Sequence, residues 1–148
     1  MKAVVFGAGN IGRGLVGEAL ADSGYTLTYV DADPGIVELL DARGQFDVVS
    51  SEATKTVAID GIINAMDEDS VRAAIADADL VATAVGAPIL KIVAPVIGAG
   101  LLDNQRDNVN VIACENLHPN SGALRQHVID AAGEEAAARA GFPNVVVD

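Results

Sequence analysis

The chain has 148 residues, of which 51% are hydrophobic and only 3% aromatic, so a single domain must build its core from Ala, Val, Ile and Leu. Its formal net charge of −12 lacks the cationic footprint that nucleic acid or an anionic membrane leaflet demands. Cys114 is the single cysteine, which leaves no intrachain disulfide and points to a reducing cytoplasm. No stretch reaches the roughly 18 apolar residues of a membrane span, and Gly7 and Gly9 break the N-terminal apolar run before a signal core forms. The expectation is a cytoplasmic protein with no nucleic-acid partner and no membrane partner.

In chain order, Ala3 to Phe6 is an apolar run of strand length that ends in glycines. Ile11, Leu15, Val16, Ala19 and Leu20 then recur at helical spacing until Ser23-Gly24. Leu27 to Val30 predicts a second strand ending in Asp31. Asp33-Pro34 starts a second helix, since proline at the first helical position lacks only an amide without an intrahelical partner, and Gly44 closes it. Phe46 to Val49 and Thr56 to Ile59 predict two strands around a polar turn, a small β insertion after the second helix, with a further short strand at Ile62-Ile63. Asp67 to Ala76 reads as a helix with acidic residues in its first turn, where the helix dipole favours them.

Leu80 to Val85 is the next buried strand, halted at Gly86-Ala87-Pro88. Ile89 to Ile97 predicts a helix with Gly98 and Gly100 at its end, and Val109 to Cys114 a strand running into Glu115-Asn116. Ser121 is the expected cap of a helix carrying Leu124, Val128 and Ile129, and Val145 to Val147 the start of a final strand. Alternating strands and helices require right-handed crossovers and a mainly parallel sheet with helices on both faces. The predicted fold class is α/β, a doubly wound Rossmann domain spanning residues 1–148.

Gly7-x-Gly9-x-x-Gly12 follows a predicted strand directly, opens a helix and lies in a strand–helix–strand unit of about 30 residues. In that context the first glycine permits the tight turn, the second admits a diphosphate, and the third lets helix and strand pack closely. Free amides at the helix start bind an anion without lysine, so an acidic chain can hold a dinucleotide. The absence of Gly-Lys-Ser/Thr excludes a Walker A loop. Gly7, Ala8, Gly9, Asn10, Ile11 and Gly12 are the predicted diphosphate loop. Asp31, 19 residues after Gly12, stands where a carboxylate takes the adenosine ribose hydroxyls. With Asp33 beside it and no arginine in Asp31-Ala32-Asp33-Pro34, the 2′-phosphate of NADP is repelled, and NAD is the expected cofactor.

Ligands of an open parallel sheet collect beyond the carboxyl ends of its strands. This places Ala84, Val85 and Gly86 under the cofactor and Asn116 near its nicotinamide, as a carboxamide or substrate-oxygen contact. Arg13 reads equally well as a contact to the diphosphate, a contact to a substrate phosphate, or a solvated side chain. Proton donors are scarce. Tyr25 and Tyr29 precede the second helix, so the Tyr-x-x-x-Lys pair of short-chain reductases is absent. His127 lies within a helix, His118 lacks an evident partner, and Cys114 reads as a core thiol. No metal site is expected.

Phe6 to Gly14, Thr83 to Gly86 and Ile112-Ala113-Cys114-Glu115-Asn116-Leu117 resemble the polyol-specific long-chain dehydrogenases, in particular the mannitol-1-phosphate 5-dehydrogenases. The resemblance spans nearly the whole chain, and its Ala-Cys-Glu-Asn segment is more specific than the glycine loop. It implies an NAD-dependent oxidoreductase interconverting mannitol 1-phosphate and fructose 6-phosphate. The family's second, helical domain carries a catalytic lysine in a Lys-x4-Asn-x2-His pattern and most of the substrate site. Lys2, Lys55 and Lys91 all lack the matching Asn and His. The resemblance therefore implies a cofactor-holding domain, with no catalytic residue in this fragment and sugar phosphate engaged only with the missing C-terminal domain. A self-contained NAD(H)-sensing regulatory module is the alternative.

Overall fold

The computed structural model describes residues 1–147. Its strands are β1 (Lys2–Phe6), β2 (Thr26–Asp31), β3 (Gln45–Val49), β4 (Thr54–Ala58), β5 (Gly61–Asn64), β6 (Leu80–Thr83), β7 (Val109–Ala113) and β8 (Ala140–Gly141). The helices are α1 (Glu18–Asp22), α2 (Pro34–Arg43), α3 (Glu68–Ala76), α4 (Leu90–Asp103), α5 (Asn120–Ala132) and α6 (Glu134–Ala138), and a π-helical turn at Gly12–Gly17 leads into α1. Six strands form one sheet in the order β5-β2-β1-β6-β7-β8, with every pairing parallel. This is the doubly wound order in which the winding direction reverses between β1 and β6. The insertion is the antiparallel β3–β4 hairpin, with Phe46 opposite Val57, while β5 joins the main sheet beside β2.

Strand alternation divides the core between the two faces. Val4, Phe6, Val30, Val81 and Val111 pack under α3 to α6. Ala3, Val5, Leu27, Tyr29 and Ala82 pack under α1, α2 and the hairpin. The predicted local signals at α2 and α3 hold. Asp33 caps α2 by accepting from the Gly35 amide, Pro34 is its first residue, and Gly44 ends it in the left-handed region at φ +65°. Asp67 caps α3.

Four boundaries differ from the sequence reading. The strand read to Val85 ends at Thr83: the Ala84 amide still donates to the Phe6 carbonyl at 2.8 Å, but the Val85 and Gly86 amides turn to a side-chain acceptor described below. Gly98 and Gly100 do not end α4, which continues to Asp103. Both are places of close approach: a Cβ on Gly98 would lie 2.4 Å from the Ala132 methyl, and one on Gly100 would lie 2.5 Å from Ile75. Ser121 is not the cap of α5. Pro119 holds that position, and the buried Ser121 hydroxyl accepts instead from the Ala113 amide at 2.9 Å. Val145 to Val147 form no strand, and the sheet edge is made by β8, with Ala140 opposite Val109. Asn120 holds the Val145 backbone on both sides, donating to its carbonyl at 2.6 Å and accepting from its amide at 3.1 Å.

Candidate functional site

The reversal point places the glycine loop against the end of β6. Gly7 turns the chain at φ +99°, and a Cβ there would come within 2.3 Å of the Ala84 carbonyl oxygen. A Cβ on Gly12 would come within 1.8 Å of the Gly7 carbonyl oxygen, so the loop closes back on itself with no room for a side chain. Gly9 faces open space. Its carbonyl accepts from the Arg13 amide at 3.0 Å, so the helical turn starts at Asn10 and its first amides have no intrahelical acceptor.

Asp31 is tied to this loop. The Ala8 amide donates to its Oδ2 at 2.8 Å, and the Asp33 amide donates to its Oδ1 at 2.8 Å. One carboxylate thus joins the glycine loop to the turn after β2. Gly7, Gly9, Asp31, Ala32, Ile36 and Ile92 line part of a cavity of about 410 Å³, which Ala84 and Val85 floor. On the other side of Ala84 a second cavity of about 350 Å³ is bordered by Ile11, Gly86, Cys114, Glu115 and Asn116. The expected site residues therefore meet along one cleft at the carboxyl ends of the strands. Three of them, Ala8, Asn10 and Gly12, line neither cavity: Ala8 is buried with its amide on Asp31, and Gly12 is buried under Gly7. Asn10 is exposed, and its side chain accepts from Arg13 at 3.4 Å.

A carboxylate missed by sequence reasoning organises the second half of the cleft. Glu115 is buried, and three donors converge on it. Thr83 Oγ1 and the Val85 amide donate to its Oε2 at 2.8 and 3.0 Å, and the Gly86 amide donates to its Oε1 at 3.0 Å. The chain after β6 leaves the sheet at Gly86, φ +95°, and Glu115 supplies the acceptor that its amides lose. One signal was available: a glutamate directly after an apolar strand must find donors when buried.

The remaining polar candidates do not gather around a reacting position. His118 is exposed and His127 half-buried on α5. Arg13 takes part in no ion pair among the described residues, and its Nε lies 3.4 Å from the Gly9 carbonyl. Cys114 is half-buried, and burial, aided by the Glu115 charge, pushes its thiol up to about 11. Only the thiolate is nucleophilic, so alkylation of Cys114 by iodoacetamide is expected to be slow at pH 8. Its rate should climb about tenfold per pH unit towards pH 11, as a mass-spectrometric time course would show. A fast reaction already at pH 7 would disprove the buried, anion-flanked setting. Among the described residues no group of three His, Cys, Asp or Glu is placed to hold a metal, and no helix is long and apolar enough to cross a membrane.

Over its whole length the chain is 42% identical to a mannitol-1-phosphate 5-dehydrogenase of Lacticaseibacillus casei and 44% identical to one of Geobacillus thermodenitrificans. It spans 42% and 41% of those two proteins. An octopine dehydrogenase solved with NADH and agmatine superposes with a TM-score of 0.66 over 95% of this chain and 33% of its own, at 18% identity. A GDP-mannose dehydrogenase from Pseudomonas aeruginosa, solved as a ternary complex, superposes with a TM-score of 0.64 over 99% of this chain and 35% of its own, at 17% identity. Both show the Rossmann fold. The family model for the mannitol dehydrogenase Rossmann domain matches residues 1–148, and the chain belongs to that family.

Proposed function

We propose that this chain is the NAD-binding domain of an oxidoreductase that interconverts D-mannitol 1-phosphate and D-fructose 6-phosphate. The observation that carries the cofactor reading is the Asp31 carboxylate, which is fastened to the Ala8 amide of the glycine loop and borders the larger cavity. The residues fit the group. The first amides of the turn after Gly9 face a diphosphate, and Asp31 accepts from the ribose hydroxyls. Ala84, Val85 and Gly86 support the nucleotide from below, and Asn116 stands at the nicotinamide end. Bound NAD would supply the hydride acceptor, and these residues would hold it. The substrate reading rests on relatives of about 40% identity named mannitol-1-phosphate 5-dehydrogenase.

Proton transfer needs a group near the reacting oxygen with a suitable pKa. The thiol of Cys114 stays protonated at neutral pH, and His118 lies exposed among turn residues. The acid–base group is therefore assigned to a further domain, as is the sugar-phosphate site. The test is a pair of measurements. The 148-residue chain is expected to quench or shift NADH fluorescence on binding while oxidising no mannitol 1-phosphate. The protein that contains it is expected to reduce NAD with mannitol 1-phosphate. Turnover by the isolated chain, or NADH binding without any polyol-phosphate activity in the larger protein, would refute the assignment.

A further inference from the structure

Tyr29 is fully buried in the middle of β2, yet its hydroxyl is aimed at the nucleotide loop. It donates to the Gly12 carbonyl at 2.7 Å, the carbonyl of the third loop glycine. At this point the helix is not regular. Gly12–Gly17 is a π-helical turn, and the Glu18 amide reaches back five residues to the Arg13 carbonyl. A polar group inserted beside the backbone ladder is a known cause of such widening, and single π-turns concentrate at functional sites.

Gly17 makes the space. A Cβ at that position would lie 2.0 Å from the Tyr29 hydroxyl, 3.0 Å from the Gly12 carbonyl oxygen and 3.1 Å from the Phe46 ring. Phe46 of β3 meets the Tyr29 ring edge-on, with centroids 5.9 Å apart and planes at 82°. Lys55 of β4 pairs with Asp22 and Glu18 on α1, so the hairpin is fastened to the helix that follows the loop. Burial pushes the Tyr29 phenol well above its ordinary value, with Arg13 opposing, so the hydroxyl remains a donor at physiological pH.

Gly12 is thus fixed from two sides: Gly7 packs on it from the loop, and Tyr29 holds its carbonyl from the sheet. Its peptide continues the turn opened by the Asn10 and Ile11 amides, which lack intrahelical acceptors and stand at the mouth of the loop proposed to take the diphosphate. We infer that Tyr29 is a positioning residue for the cofactor diphosphate, acting through the Gly12 carbonyl and braced by Phe46 of the hairpin. This rests on the dinucleotide reading of the cleft.

The experiment compares the wild type with Tyr29→Phe, which keeps the ring and removes only the hydroxyl, using three probes: NADH, ADP-ribose and adenosine. NADH and ADP-ribose carry the diphosphate, and adenosine does not. Tyr29→Phe should weaken both diphosphate ligands about five- to tenfold, in keeping with one lost hydrogen bond, and leave adenosine within about twofold. Gly17→Ala crowds the same hydroxyl from the helix side and should give the same pattern of ligands. Equal losses for all three probes, or unchanged NADH affinity beside a lowered thermal midpoint, would reduce Tyr29 to a packing residue and overturn the inference. A wild type that binds none of the three would overturn the dinucleotide reading, and this inference with it.

Discussion

Replacing Glu115 with alanine is expected to destabilise the domain by about 2–4 kcal/mol and to weaken NADH binding at least tenfold. The magnitude follows from what the carboxylate leaves behind. Three donors converge on it, from the Thr83 hydroxyl and the Val85 and Gly86 amides. Thr83 is fully buried, so water does not replace its partner without opening the sheet end. Hydrogen bonds to an ionised acceptor contribute about 1.5–3 kcal/mol each, and an orphaned buried donor costs about 1–3 kcal/mol. The exposed Gly86 amide recovers its loss in water, which brings the sum below three full bonds. Urea unfolding should show a lower midpoint at unchanged slope, the signature of lost stability without a changed unfolded state.

The effect on binding has a separate origin. Val85 and Gly86 border the two cavities of the cleft, one on each side of Ala84. Released from Glu115, their peptides are expected to reorient where the nicotinamide half is proposed to lie. Glu115→Gln separates charge from shape. It retains one carbonyl acceptor but sets an NH2 group against a donor, so it should recover less than half of the stability. Full recovery by glutamine would show that the negative charge has no part in the strap.

The contrast between Glu115 and Asp31 shows how far the sequence carried. The place of Asp31 beside the glycine loop was legible because it is local in the chain's own grammar: a carboxylate at the end of the second strand, a fixed distance after three glycines. The glycine loop, the Asp33-Pro34 start of α2 and the Gly44 stop were legible for the same reason. Glu115 stood in a segment that the sequence singled out, yet its partners lie 29 to 32 residues away across a strand pair. Nothing along the chain says which oxygens those amides face. Gly98 and Gly100 were misread for a kindred reason. A helical glycine resembles a stop signal until the helix that packs on it is known, and here Ala132 and Ile75 come from α5 and α3. Val145 to Val147 carry strong strand propensity, but pairing with β7 is made by Ala140 and Gly141 instead. Propensity names residues that suit a strand, and tertiary pairing decides which of them become one. Tyr29 was read as a strand residue and is one; its hydroxyl bond to Gly12 depends on the hole at Gly17.

Asp31→Ala is expected to weaken NADH by about 30- to 100-fold and NADPH by far less, so the two affinities draw together. In the wild type the carboxylate accepts from the Ala8 and Asp33 amides at 2.8 Å each, and its remaining lone pairs face the cavity. Alanine removes the proposed ribose acceptor and the tether that holds the glycine loop to the turn after β2. Two charge-assisted bonds of about 1.5–3 kcal/mol cover that range once water compensates in part. NADPH loses the same tether but is relieved of a like charge next to its 2′-phosphate. Asp33 remains, its carboxylate capping α2 through the Gly35 amide, so the preference narrows without reversing. Asp31→Asn divides the two effects. Its carbonyl can keep the Ala8 amide while the charge is gone, so NADH should fall by less than in the alanine variant and the preference should narrow as much. Fluorescence titrations of both cofactors against both variants decide the matter. If alanine weakens NADH and NADPH by the same factor, Asp31 serves only as the tether, and the charge that selects NAD resides on Asp33.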